Sequence, residues 1–158
     1  MARLVELGIA EREQGGSALL YELNRDHLAV PAIEALVELR ALLVDRLRDE
    51  LSGWERQPQA AVLFGSAARG DGGPDSDIDL FVVRPGEIDE DDPTWRAQID
   101  GLAEGVRAWT GNNAGIAELG AGELDDLVDR APPVLDSIRA DGIDLAGQRV
   151  ATLLRGAS

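Results

Sequence analysis

Two aspartates stand one residue apart, Asp77 and Asp79, with Ile78 between them and the apolar run Leu80-Phe81-Val82-Val83 behind. In an extended chain alternate side chains point the same way, so both carboxylates share a face, with backbones roughly 6.5–7 Å apart. At that separation two negative charges repel by about 2 kcal/mol at an effective dielectric of 20. Aspartate is also a poor strand former. Two acids that oppose local propensity and repel each other call for a cation, and magnesium favours carboxylate and phosphate oxygens. Ten residues upstream, Val62-Leu63-Phe64 runs into Gly65-Ser66-Ala67-Ala68-Arg69. A strand that stops at Gly-Ser and turns gathers backbone N–H groups and a hydroxyl, a setting that holds phosphate oxygens. Arg69 adds a permanent charge with a planar donor fork. Cation-holding and anion-holding groups linked by a short loop suit a metal–nucleotide complex.

Other chemistries fail on residue type. The chain has no cysteine, and His27 is its one histidine, read as a local cap or packing residue. Disulfides, thiolate metal sites and histidine-based triads are therefore not expected. All 15 basic residues are arginine, so no lysine can complete a P-loop. Asp75-x-Asp77-x-Asp79 resembles the start of a calcium loop, but Leu80 and Gly86 stand where an EF-hand needs Gly and Glu. Thirty acids against 15 bases give a formal net charge of −15, which repels phosphate backbones and anionic lipids. No apolar run reaches the roughly 20 residues of a membrane helix. A soluble, cytoplasmic protein of 158 residues is expected, without membrane association.

The elements that must position these groups can be read from periodicity. Ile9–Glu13 and Ala18–Leu23, separated by Gln14-Gly15-Gly16-Ser17, predict a hairpin after a short helical end. Leu36, Leu39, Leu43, Leu47 and Leu51 form one stripe and predict a long helix over Pro31–Ser52, a core helix first and a homodimer-forming helix second. Ala60–Phe64 and Asp77–Arg84 predict strands, and Ala114–Leu119 a third. Asp92-Pro93 opens a helix whose buried face is Trp95, Ile99, Leu102, Val106 and Trp109, ending at Gly111. Helices are expected over Gly122–Arg130, Pro132–Ala140 and Gln148–Leu154. Alternating strands and helices give an α/β (α+β) domain: a small mixed sheet with flanking helices, preceded by a β-hairpin and a long helix. The expected divisions are residues 1–27, 28–56 and 57–158.

Phe64-Gly65-Ser66, ten residues, then Asp77-Ile78-Asp79-Leu80, with Arg69-Gly70 and Asp75-Ser76 between, resembles the signature of the DNA polymerase β–type nucleotidyltransferases. It is nearest to the small bacterial minimal nucleotidyltransferase domains, over about Gln59–Leu119. The resemblance implies transfer of a nucleoside monophosphate, with AMP from ATP as the expected donor, to a hydroxyl of a protein, RNA or small molecule. It implies that Gly65 and Ser66 hold the triphosphate and that Asp77 and Asp79 bind magnesium, two ions being expected. Arg69 is added on physical grounds as a phosphate contact. A third carboxylate on a neighbouring strand is usual in such domains, and Glu118 is the candidate. Some relatives are antitoxins that adenylylate a HEPN-type toxin, which makes such a protein, or RNA, a candidate acceptor. Leu4–Glu13, Gly15-Gly16 and Leu20–Asn24 also resemble the last turn and wing of a winged helix-turn-helix. Too little precedes Gly8 to read a DNA groove, so DNA binding by this chain alone is not expected. A nucleotide-sensing module of a winged-helix regulator, with little or no catalysis, stays open as the alternative to an enzyme.

Overall fold

The computed structural model describes residues 1–16, 18–73 and 76–156. Ser17 of the hairpin turn and Asp75 of the glycine-rich loop lie outside the described residues. The chain divides into two compact units, Met1–Leu39 and Arg40–Ser158.

The first unit holds helix α1 (Ala2–Glu6), strands β1 (Ala10–Gly15) and β2 (Ala18–Leu23), and helix α2 (Val30–Val37). The strands form the expected antiparallel hairpin, with Ala10 opposite Leu23 and Gly15 opposite Ala18. Asn24 ties its ends together, Nδ2 donating to the Gly8 carbonyl at 2.9 Å. His27 is a local cap: its Nδ1 accepts from the Ala29 N–H at 3.1 Å.

The expected helix over Pro31–Ser52 is two helices, α2 and α3 (Leu39–Ser52), separated at Glu38. Helices of this length owe most of their stability to tertiary packing. Leu47 and Leu51 of the leucine stripe are buried whereas Leu36 and Leu39 are exposed, so its continuity in sequence does not enforce one rod. Val44, Leu47 and Leu51 of α3 are buried in the second unit.

The second unit continues with β3 (Ala60–Phe64), α4 (Gly65–Arg69), β4 (Ile78–Arg84), α5 (Pro93–Thr110), β5 (Ala114–Gly120), α6 (Leu124–Arg130), α7 (Pro133–Asp141), β6 (Ile143–Gly147) and α8 (Val150–Gly156). A short 3-10 turn, Ala121–Glu123, leads into α6. The four strands lie in the order β5-β4-β3-β6. β4 is parallel to β5, whereas β3 is antiparallel to both β4 and β6. The sheet is therefore mixed, as expected, although β6 was not foreseen.

Alternation along the strands splits the core in two. Leu63, Ile78, Leu80 and Val82 pack against α3 and α5, where Leu47, Leu51, Trp95 and Leu102 are fully buried. Val62, Phe64, Phe81 and Val83 pack against Leu135 and Ile138 of α7 and Val150 and Leu154 of α8. Each such aliphatic side chain contributes about 1.5–3 kcal/mol through burial. Trp54 meets Trp95 edge to face, centroids 5.4 Å apart at 84°, which adds about 0.5–1.5 kcal/mol. α5 begins where its sequence says it should: Asp92 caps it, accepting from the Trp95 N–H at 2.8 Å. No described helix is long and apolar enough to cross a membrane.

Candidate active site

The site grows from one rung of the sheet. Phe64, the last residue of β3, lies opposite Asp79 of β4. The next residue, Gly65, turns the chain into α4 with φ +70. Only glycine fits there on two counts. The left-handed backbone penalises any Cβ, and a Cβ would stand 2.3 Å from Asp79 Oδ2. On the other flank Gly115 of β5 lies opposite Asp79, and a Cβ there would stand 3.1 Å from Oδ1. The Asp79 carboxylate is thus seated between two glycines, beside the Gly65-Ser66 bend.

Asp77, just ahead of β4, is exposed, and Asp79 is half-buried. Burial pushes the Asp79 carboxyl above its ordinary value, the Asp77 charge pushes it further, and Arg69 opposes both. A carboxylate that is partly desolvated and repelled by its neighbour gains from a cation, which is the condition the Asp-x-Asp spacing foretold. Among the described residues no group of three or more His, Cys, Asp or Glu could hold a metal. Asp77 and Asp79 are the carboxylates at the start of β4, beside the bend.

The loop between bend and strand is tied down at both ends. The Ser66 carbonyl accepts from the Gly70 and Asp71 N–H groups at 2.8 and 3.1 Å. The Ser66 hydroxyl faces Gly72, where a Cβ would come within 3.2 Å of Oγ. The Gly73 N–H donates to Ser76 Oγ at 2.9 Å, and Asn112 Nδ2 donates to the Ser76 carbonyl at 2.7 Å. Asn112 therefore fixes the residue immediately before Asp77. Nothing in its sequence context marks it beyond a position after the α5 stop at Gly111. Arg69 is engaged, its Nε bonding Asp71 at 3.1 Å and its Nη1 bonding Asp141 at 3.3 Å. Asp141, at the end of α7, escaped sequence reasoning because it lies 72 residues away.

Glu118 does not join this group. In the parallel β4–β5 register it lies opposite Val82, three residues beyond the Asp79–Gly115 rung. Laterally paired residues share a face, so Glu118 points to the α5 side with Leu80 and Val82, away from Asp79. There its Oε1 accepts from Arg84 Nε at 3.2 Å and Trp95 Nε1 at 2.9 Å, and its Oε2 from Arg96 Nη2. Burial raises its carboxyl, but the bonds from Arg96 and Trp95, the Arg96 charge and the bond from Arg84 outweigh it, so the group ends below the ordinary glutamate value. Glu118 is a clamp between β5, β4 and α5, not a third carboxylate of the site.

Solved structures that match in part include a variant of the toxin–antitoxin pair MntA-HpeT, 18% identical, matched over 72% of this chain and 82% of that one with a TM-score of 0.48. A tri-AMPylated Shewanella oneidensis HEPN toxin in complex with an MNT antitoxin matches at 18% identity over 75% and 82% of the two chains, with a TM-score of 0.45. A nucleotidyltransferase of Sulfolobus solfataricus, itself assigned only by inference, matches at 22% identity over 72% and 84%, with a TM-score of 0.40. No curated protein matches this chain. The family model described as the nucleotidyltransferase domain matches residues 42–145. That match begins after the hairpin unit, whose winged-helix resemblance rests on sequence alone. It spans more than half of the chain and encloses the Gly65-Ser66 bend, the Asp77/Asp79 pair and the whole β3–β5 frame. The chain belongs to the nucleotidyltransferase domain family, and it is a nucleotidyltransferase.

Proposed function

We propose that this nucleotidyltransferase moves AMP from ATP to a hydroxyl of a macromolecular acceptor, with a HEPN-type toxin protein as the first candidate and RNA as the second. One observation carries the reading: the Asp79 carboxylate is seated directly against the Gly65-Ser66 bend. Groups suited to magnesium and groups suited to phosphate therefore meet at one end of the sheet. Adenine and the acceptor class come from the resemblance in sequence, since the residues of the bend and the pair address phosphate and metal only.

Asp77 and Asp79 fit one magnesium ion, which takes one or two carboxylates and completes its octahedron with phosphate oxygens and water. Magnesium, when bound, would neutralise the triphosphate and favour departure of pyrophosphate. The chain's own residues would do the rest. Ser66 Oγ and the N–H groups of the Gly65–Ala67 turn would donate to triphosphate oxygens and hold the α-phosphorus in place. Arg69 would reach a phosphate by leaving Asp71. Both partners of that pair are well exposed, and exposed pairs contribute little, so the exchange costs little. The acceptor oxygen bonds to the α-phosphorus as the bond from that phosphorus to the bridging oxygen breaks. Pyrophosphate takes the electron pair, and the acceptor's proton passes to water.

The test is incubation with α-labelled ATP, magnesium and a cell extract, followed by identification of the labelled acceptor. Asp77→Asn and Asp79→Asn should each abolish labelling while the protein stays folded by circular dichroism. Labelling at the wild-type rate in both variants would overturn the proposal.

A further inference from the structure

Where Glu118 departs from the site, another residue stands in its place. The β5 positions nearest Asp79 that share its face are Gly115, opposite Asp79, and Ala117, opposite Phe81. Asn113, whose carbonyl accepts from the Ile78 N–H at 2.9 Å, continues the pairing ahead of β5, and its Oδ1 accepts from Arg107 Nη1 at 2.9 Å. None of the three is an acid. A paired active site needs ions about 3.5–4 Å apart, one on the leaving oxygen and one on the attacking oxygen, and each needs its own ligands. β5 is the strand beside Asp79 that could supply the extra carboxylate, and it presents glycine there.

We propose that this site takes one divalent cation per bound nucleotide, held by Asp77, Asp79 and the triphosphate, and that Gly115 is the position that sets this number. The inference rests on the nucleotide-binding reading of the same site and narrows it: two ions do not fit the residues described. It also bears on rate. Without a β5 carboxylate, nothing from that strand draws the acceptor's proton, which passes to water or to a base the acceptor brings with it. Positioned general bases contribute roughly 100-fold or more. Transfer by this chain should be correspondingly slow, while nucleotide binding is intact.

The decisive measurement is a manganese titration of the full-length chain, read by electron paramagnetic resonance, with an ATP analogue that carries a methylene between the α- and β-phosphorus. The expected result is one bound manganese per protein–nucleotide complex. Two in the wild type would overturn the inference alone. None at all would overturn the nucleotide-binding reading along with it. Gly115→Asp should raise the count to two and accelerate transfer from ATP by roughly 100-fold, whereas Gly115→Ala, which adds only the Cβ, should do neither. A Gly115→Asp protein that is folded by circular dichroism and still binds one ion would also overturn the assignment of Gly115. Should that variant fail to fold, the wild-type count decides by itself.

Discussion

Replacing Glu118 by glutamine separates a structural carboxylate from a catalytic one. Glu118 is 19% exposed and Arg84 13%, whereas Arg96 is 42% exposed. Breaking a fully buried pair by removing one partner costs about 3–5 kcal/mol. Arg96 can turn to water, so the cost here falls to about 2–3 kcal/mol, most of it from the largely covered Arg84 guanidinium and the Trp95 Nε1–H left with a poorer acceptor. For a chain of this size each kcal/mol moves Tm by about 2–4 °C, which gives a fall of about 4–12 °C. Thermal unfolding by circular dichroism measures it, and nucleotide binding per folded molecule should be unchanged. The pH dependence carries a second signature. The folded carboxyl sits below the ordinary value of 4.5. Its stabilisation is therefore complete above that value and lost as the pH falls below it through the lowered folded value. The Tm gap between wild type and Glu118→Gln should be flat at neutral pH and close below 4.5. A Glu118→Gln protein with wild-type Tm and no transfer activity would refute the reasoning and return Glu118 to the active site.

Three further outcomes follow from the same geometry. Gly65→Ala should lose about 1–2 kcal/mol from the left-handed backbone, a fall in Tm of roughly 2–8 °C, and should lose nucleotide affinity because the new methyl meets the Asp79 carboxylate; calorimetric titration with ATP and magnesium checks it. The Asp79 carboxyl lies above its ordinary value of 3.8 in the fold, so its ionisation opposes stability: the favourable contribution is present at low pH and lost as the pH rises through the raised value. Asp79→Asn should accordingly raise Tm at neutral pH while abolishing metal-dependent nucleotide binding, and a fall in Tm would count against the desolvated site. Trp95→Phe removes the Nε1–H bond to Glu118 and should cost about 1 kcal/mol, read by urea unfolding, with no change in transfer.

What could be read from the residues and what could not divides along the reach of the interaction. The Gly65-Ser66 bend and the Asp77/Asp79 pair are local patterns. A positive φ, a turn and a two-residue alternation are decided within a few residues, so their chemistry was visible. So was α5, whose cap, proline and apolar stripe agree. β6 was not, because the five residues Ile143–Gly147 become a strand only through pairing with β3, whose other edge β4 already covers. Ile143 and Leu145 carried the period-2 hint, too short to stand alone.

Glu118 failed for a sharper reason. Its strand, its acid type and its nearness to the pair were all inferred soundly, yet the role depended on register. Alternation has a period of two, so displacement by one residue moves a side chain to the opposite face. With Asp79 opposite Gly115, odd-numbered β5 residues share its face and even-numbered ones face α5. Nothing within Ala114–Leu119 fixes that parity; it is set by the Ile78–Asn113 bond and by the packing of Ile116 beside Leu80. The same parity explains why Glu118 can be charged in a half-buried place, since Arg84, Trp95 and Arg96 converge on its face alone. The acid expected to complete the site instead secures the strand that leaves a glycine beside Asp79. One short strand thus serves two ends: Glu118 binds it to α5 on one face, and Gly115 lies beside Asp79 on the other.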